Sequence, residues 1–137
     1  MSGDVFVDTN ILVYAHDRDA GAKHRKARDL VAEAWQSTLP PLLSIQVLQE
    51  LLVNLRRKGV GPKAARATTE DYMQWRVVEN TLTVFAAGLG EMDRWKTSLR
   101  DAMILAAARQ GGARTIWSED LSSGQDYGGI EVVNPLE

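Results

Sequence analysis

Near its start the chain carries an apolar run that three polar residues interrupt, VFVDTNILVY, residues 5–14. Asp8, Thr9 and Asn10 stand between two arms whose composition is typical of a buried core. Burying a neutral polar group without a partner costs about 2–7 kcal/mol, and burying an isolated charge costs more. Two interpretations therefore stay open. Asp8 either ends a strand and caps the helix that follows, or it stands at the open end of a strand and binds a cation.

Strand and helix patterns alternate along the rest of the chain. Besides residues 4–8, apolar runs predict strands near 76–79, 114–120 and 130–134, with a short one possible within 39–44. Apolar residues at helical spacing predict helices over 10–16, 21–35, 44–58, 62–75 and 98–110, and a weaker one across Gly88 and Gly90. Two of the strands lack alternation, which favours a parallel sheet covered on both faces. We therefore predict a single three-layer α/β/α domain over residues 1–137, with a central, mostly parallel, Rossmann-like sheet.

Composition excludes several classes of protein. The chain of 137 residues has no cysteine, which excludes disulfides, zinc–thiolate sites and cysteine nucleophiles. No apolar run approaches the roughly 20 residues that span a bilayer, and no cationic stretch followed by an apolar run marks a leader. We expect a cytoplasmic protein without membrane contact. The net charge of −2 gives no general sign of nucleic-acid binding, although Lys and Arg concentrate in residues 23–28 and 56–66.

Four acidic residues fall where such a sheet would bring them to one edge. Asp8 and Asp120 follow predicted strands, Asp101 lies in the first turn of a helix, and Glu50 shares a polar helical stripe with Gln46 and Asn54 at four-residue spacing. Carboxylates that converge without a partner repel, so some would stay protonated. A hard divalent cation removes the conflict, and Mg²⁺ prefers oxygen ligands. A divalent-cation site at this edge is therefore one interpretation of the four acids.

Each acid also has a purely structural explanation. Asp8 suits an N-cap as well as a ligand, and Asp101 completes a capping-box pattern with Ser98. Glu50 fits a solvated position on an amphipathic helix, and Asp120 fits a turn. For each residue taken alone, the structural explanation stays open. The stronger support for a metal-ligand role is that all four acids fall at the same edge of the predicted fold.

Three segments in order resemble the PIN domain of VapC-like toxin ribonucleases. They are FVDTNILVYAHD, LSIQVLQELLVNLRRK and SLRDAMILAAARQGGARTIWSEDLSSGQ, followed by VVNP near the end of the chain. The resemblance implies a metal-dependent endoribonuclease whose Mg²⁺ or Mn²⁺ is bound by four catalytic acids. These match Asp8, Glu50, Asp101 and Asp120, with Thr9, Asn10 and Ser118 at supporting positions.

The chain departs from the family pattern beside one of these acids. The two residues before the aspartate that matches Asp101 are commonly aromatic, but here they are Leu99 and Arg100. All four acids are present, so the implied metal site is retained. Two interpretations of Arg100 are a solvated side chain in the first turn of the helix, which we favour, and a contact to a substrate phosphate.

The resemblance also implies partners: an RNA substrate, a cognate antitoxin protein that folds over the site, and a second copy of the chain in a homodimer. Arg57 and Lys58, in the second basic stretch, are candidates for steering the RNA backbone by salt-sensitive attraction. Trp75 and Trp95 are candidates for protein contacts, or equally for the core. The two histidines, His16 and His24, have no required role in this chemistry.

Other functions compete with this one. The main alternative is a catalytically silent PIN-like module that binds RNA or protein, although a pure binding module has no need of a costly carboxylate cluster. A phosphohydrolase of the haloacid-dehalogenase type needs a second aspartate two residues after the first, where this chain has Asn10. A phospho-receiver domain needs a lysine at a late strand end, where TIWSED supplies acids. A nuclease acting on DNA stays open, because a metal site does not recognise the sugar.

Overall fold

The computed structural model describes residues 4–137 and is built on a sheet of five short strands. These are β1 (Val5–Val7), β2 (Leu42–Ser44), β3 (Arg76–Val78), β4 (Thr115–Trp117) and β5 (Glu131–Val133). Their order is β3-β2-β1-β4-β5, and every neighbouring pair of strands is parallel. The predicted parallel sheet is confirmed, including the short strand at β2.

Within the described residues 4–137, six α-helices lie between β1 and β4 in the chain. They are α1 (Thr9–Ala15), α2 (Ala22–Gln36), α3 (Ile45–Arg57), α4 (Pro62–Tyr72), α5 (Leu82–Trp95) and α6 (Leu99–Gln110). Helices α1 to α4 pack in one group, whereas α5 packs on α6, which lies against β2 and β3. The three-layer α/β/α prediction is confirmed. A 3₁₀ turn at Arg18–Ala20 was not predicted, and α4 ends at Tyr72 rather than near Trp75.

The chain reverses its order across the sheet between β1 and β4. From β1 it moves outward to β2 and β3, and it then returns by α5 and α6 to add β4 and β5 on the other side of β1. At the carboxyl ends of these two strands, the Asp8 amide donates to the Trp117 carbonyl at 2.9 Å. In open parallel sheets this reversal leaves a crevice in which ligands bind.

The core lies on both faces of the sheet. Its fully buried side chains include Phe6 and Ile116 on the strands and Leu51 and Ile104 on the helices. Trp75 is buried among them, so it is core and not the exposed partner contact that was its other interpretation. Trp95 is partly buried and packs edge-on against Tyr127. Among residues 4–137 no helix is both long and apolar enough to cross a bilayer.

Two adjacent leucines of α3 test this assignment of the core. Leu51 is fully buried and Leu52 is 37% exposed. We expect Leu51→Ala to lower the free energy of unfolding by about 2–5 kcal/mol, because it leaves a cavity. We expect Leu52→Ala to change it by about 0.5 kcal/mol or less. Urea unfolding followed by circular dichroism measures both, and equal losses of stability would contradict the assignment of Leu51 to the core and Leu52 to the surface.

Candidate functional site

Asp8 lies at the centre of the crevice, directly after β1. Its side chain is 0% exposed, and it is the N-cap of α1, accepting a hydrogen bond from the Thr9 amide at 2.7 Å. The Ser118 hydroxyl, at the end of β4, donates to its other oxygen at 2.8 Å. The capping role and the cluster role therefore do not exclude each other, because the same carboxylate does both.

Glu50 reaches the crevice from the middle of α3. The Thr9 hydroxyl donates to its Oε1 at 2.6 Å, which ties α3 to the first turn of α1. Gln46, one turn earlier, donates to its Oε2 at 3.3 Å and to the Arg100 carbonyl at 3.2 Å. Asn54 donates to the Glu50 backbone carbonyl at 2.8 Å and lines the pocket beside the acids. Glu50 is therefore held toward the crevice and is not a freely solvated helical residue.

The remaining two acids come from the elements on either side of Asp8. Asp101 lies in the first turn of α6, where its amide donates to the Ser98 hydroxyl at 3.1 Å, as the capping pattern predicts. Asp120 follows β4. Its amide donates to the Ser118 hydroxyl at 3.0 Å, and its Oδ2 accepts from the Asn10 side chain at 2.8 Å. The fold thus brings together all four predicted acids and the three predicted supporting residues.

The guanidinium group of Arg100 fills the space between the acids. Its Nη2 donates to Asp8 Oδ1 at 2.8 Å and to Glu50 Oε1 at 2.7 Å, and its Nη1 donates to Asp101 Oδ1 at 3.2 Å. Nη1 also lies 3.8 Å from Asp120 Oδ2. Arg100 therefore contacts the four carboxylates themselves. The favoured interpretation of it as a solvated first-turn side chain is wrong, because four acids meet at the point that its side chain can reach.

This arrangement divides the charges unevenly. Burial raises the pKa of Glu50, but hydrogen bonds from Arg100 and Thr9 outweigh it and hold the pKa below its ordinary value. For Asp120, desolvation and repulsion from Asp8 raise the pKa, because Arg100 lies too far away to compensate. Burial lowers the pKa of Arg100, but hydrogen bonds to Glu50 and Asp8 more than reverse this, so the group stays charged. One guanidinium faces four carboxylates, which leaves an excess of negative charge.

The oxygen donors of the site fit a hard divalent cation by their chemistry. Carboxylates are the usual protein ligands of Mg²⁺ and Mn²⁺, and hydroxyl and amide groups beside them are usual supports. Within residues 4–137, however, no three acidic or imidazole groups approach one another closely enough to form a ready-made metal site. The acids are spread around the guanidinium. The donor set therefore fits the ion in its chemistry, and binding would require Arg100 to leave and the carboxylates to approach one another.

A pocket of about 410 Å³ opens beside the acids and is lined by Asn10, Glu50, Arg57, Arg100 and Asp120, among others. Arg57 is thus within reach of a ligand that enters this pocket. Lys58 points elsewhere and forms a salt bridge with Asp17 at 2.8 Å.

The two histidines form their hydrogen bonds with tyrosine residues, away from the acids. His16 bonds the Tyr72 hydroxyl and His24 the Tyr14 carbonyl, which agrees with their having no part in the site.

Two features of the site were not predicted from the sequence. The position of Arg100 among the acids was signalled only by its place next to Asp101 in the first turn of a helix. Glu119, beside Asp120, accepts hydrogen bonds from Tyr14 and Lys23 and so anchors the segment after β4 to α1 and α2. An acid next to a predicted ligand does not by itself reveal that it has such partners.

Comparisons with known proteins identify a family and solved structures to which this chain is similar. The model of the family described as PIN domain matches residues 5–122. The solved structure of VapC20 of Mycobacterium tuberculosis, a toxin that cleaves the sarcin–ricin loop, is 25% identical, with a TM-score of 0.68 over 94% of this chain and 98% of that one. A search of curated proteins found no match.

Two further solved structures share the fold at lower identity. A toxin–antitoxin complex from Klebsiella pneumoniae is 19% identical, with a TM-score of 0.69 over 96% of this chain and 98% of that one. VapBC2 of Rickettsia felis, bound to a DNA fragment from its promoter, is 15% identical, with a TM-score of 0.64 over 93% of this chain and 96% of that one.

The Ser118 hydroxyl offers a test of how the site is held together. It donates to Asp8 and accepts from the amides of Asp120 and Leu121. We expect Ser118→Ala to lower the free energy of unfolding by about 1–3 kcal/mol, because it leaves buried polar groups without partners. Ser122→Ala, at an exposed position four residues on, is the control and is expected to stay within about 0.5 kcal/mol. Denaturant unfolding of both variants measures the difference, and a neutral Ser118→Ala would contradict the network.

Proposed function

This chain belongs to the PIN domain family, and from that premise we propose that it is a metal-dependent endoribonuclease that hydrolyses RNA phosphodiester bonds. We further propose that it is the toxin of a type II toxin–antitoxin pair. The observation that carries the proposal is the convergence of Asp8, Glu50, Asp101 and Asp120 at the crevice between β1 and β4. Similarity to an RNA-cleaving toxin over nearly the full length of both chains supports the choice of substrate.

In this proposal the four acids hold Mg²⁺ or Mn²⁺. When bound, such an ion stabilises negative charge on phosphate oxygens and makes water a better nucleophile. The protein's own contribution is to orient the ligands. Ser118 and Thr9 fix the carboxylates of Asp8 and Glu50, and Asn10 fixes that of Asp120. Ligands that are already oriented do not have to be ordered when the substrate arrives.

The pocket beside the acids is where we propose that the RNA backbone enters. Its wall carries Arg57, which can pair with a phosphate next to the one that is cleaved. Lys58 is a weaker candidate because Asp17 already engages it. A phosphate contact by Arg100 stays a prediction, and it requires the guanidinium to leave the acids.

An antitoxin partner and a homodimer also belong to the proposal. The structures similar to this chain include toxin–antitoxin complexes, which supports a protein partner. With Trp75 in the core, the side chains available for such contacts are elsewhere. Leu82, Phe85 and Leu89 are exposed at helical spacing along one side of α5 and form an apolar strip. A cytoplasmic location stays a prediction.

A second candidate function is a catalytically silent PIN module that binds RNA or protein. The position of Arg100 favours it, because a guanidinium that permanently occupies the space between the acids would leave no room for a metal ion. The two candidates differ in one measurable property, which is cleavage that depends on a divalent ion.

The test is cleavage of end-labelled RNAs by the purified chain with Mg²⁺, Mn²⁺ or EDTA. The substrates include a sarcin–ricin-loop hairpin and the same sequence as DNA. We expect RNA to be cut only when the metal is present, and Asp8→Asn to cut no more than the EDTA sample, because the variant loses the buried charge at the centre of the site.

The matched control is Asp29→Asn, which makes the same chemical change at a side chain that is 75% exposed on α2. It is expected to cleave like the parent protein. Absence of cleavage of any RNA by folded protein would favour the silent module, and equal cleavage of DNA would point to a nuclease that does not read the sugar.

Arg57 allows a separate test of RNA approach. We expect Arg57→Gln to weaken RNA binding most at low salt, since a lost phosphate contact reduces the slope of log K against log salt by about 0.7. Fluorescence anisotropy with a labelled RNA, on Asp8→Asn protein to prevent cleavage, measures the slope. An unchanged slope would remove Arg57 from the RNA path.

A further inference from the structure

We propose that Arg100 is a built-in cation of the carboxylate cluster, which a divalent metal ion must displace before the site becomes active. The inference rests on the proposed function, because it takes the acids to be metal ligands. It goes beyond that function by assigning Arg100 a regulatory role. Arg100 closes the metal-free site, and it sets the metal concentration at which the site opens.

The contacts of Arg100 show that its guanidinium group occupies the space between the carboxylates. Its three guanidinium nitrogens all donate to site acids, with Nε at 3.2 Å from Glu50 Oε2 and Nη2 at 2.8 Å from Asp8 Oδ1. Three of the four acids accept from it at 3.3 Å or less. Planar guanidinium forms strong, oriented bonds with carboxylates. A metal ion bound by the same acids would compete for the same oxygens.

Charge explains why a divalent ion can win this competition. Arg100 brings one positive charge to four carboxylates, one of which, Asp8, is fully buried. Asp120 lies 3.8 Å from the guanidinium and accepts no hydrogen bond from it. A divalent ion supplies twice the charge at a smaller radius and is able to draw Asp120 in. Arg100 is thus sufficient to hold the acids together and insufficient to neutralise them.

The guanidinium group also borders an open pocket into which it can move. Arg100 stands in the first turn of α6, and its side chain is 30% exposed on the wall of the 410 Å³ pocket. In the proposed exchange, rotation about its side-chain bonds would carry the charged group into this pocket.

The test is binding of Mn²⁺ alone to RNA-free protein, measured by isothermal titration calorimetry. We expect Arg100→Gln to bind Mn²⁺ about 5- to 150-fold more tightly than the parent protein, the size of typical coupling free energies between linked equilibria. Without metal we expect its melting temperature to be lower, because the acids have lost their counterion. Saturating Mn²⁺ is expected to narrow that difference, since it stabilises the variant more.

The control is Arg66→Gln, which removes one positive charge from an exposed salt bridge with Glu70 on α4. Its Mn²⁺ affinity is expected to equal that of the parent. Equal or weaker Mn²⁺ binding by Arg100→Gln, or no binding by any of the proteins, would overturn the exchange. Because RNA is absent, these results are separate from cleavage. Metal-dependent cleavage with unchanged Mn²⁺ affinity rejects the exchange alone, and exchange without cleavage rejects only the nuclease.

A measurement on the parent protein covers the case in which Arg100→Gln does not fold. The Nε–H of Arg100 has its own NMR signal, which can be assigned by its loss in Arg100→Lys, a variant that keeps the charge. We expect this signal to shift or broaden as Mg²⁺ is added, because the bond to Glu50 is broken. A signal unmoved at saturating Mg²⁺ would show that the guanidinium stays in place and would overturn the proposal.

Discussion

The site depends on a fully buried carboxylate at the end of a central strand. Asp8 is held by the Thr9 amide, the Ser118 hydroxyl and the Arg100 guanidinium. A buried charge is tolerated only when its oxygens have such partners. These partners come from α1, the end of β4 and α6, so satisfying one carboxylate draws three parts of the chain to the same point. The crevice between β1 and β4 provides the place, because the order of the strands reverses there.

Two of the acids around Asp8, Glu50 and Asp120, differ in their hydrogen-bond partners and in the direction of their pKa shifts. Glu50 is held by Thr9 and Gln46, and its pKa is below the ordinary value despite the opposing effect of burial. Asp120 has an amide neighbour, Asn10, and its pKa is raised by desolvation and by Asp8. The cluster is therefore tightly bound at one end and under-neutralised at the other. In our proposal, this asymmetry favours replacement of the guanidinium by a cation of higher charge.

Membership of the PIN domain family and the position of Arg100 bear on function in opposite directions. The family model and the similarity to an RNA-cleaving toxin favour a nuclease. Arg100 takes up the oxygens that the proposed metal ion would need. The proposed exchange of the guanidinium for a metal ion would reconcile the two, since the same acids would then serve a closed and an open state. It also gives a physical role to the replacement of an aromatic residue before Asp101 by an arginine.

The class of fold and the set of acids that meet could be predicted from the order of the residues. Short apolar runs without alternation, helical spacing and capping residues are local signals, and they were enough to predict a parallel sheet with its helices and the common edge of Asp8, Glu50, Asp101 and Asp120. The group that fills the space between these acids, and the surface residues that are available, follow from the three-dimensional packing. Whether Arg100 turns to solvent or inward, and whether Trp75 is exposed or buried, depends on elements distant in the chain, and no local pattern encodes those distances.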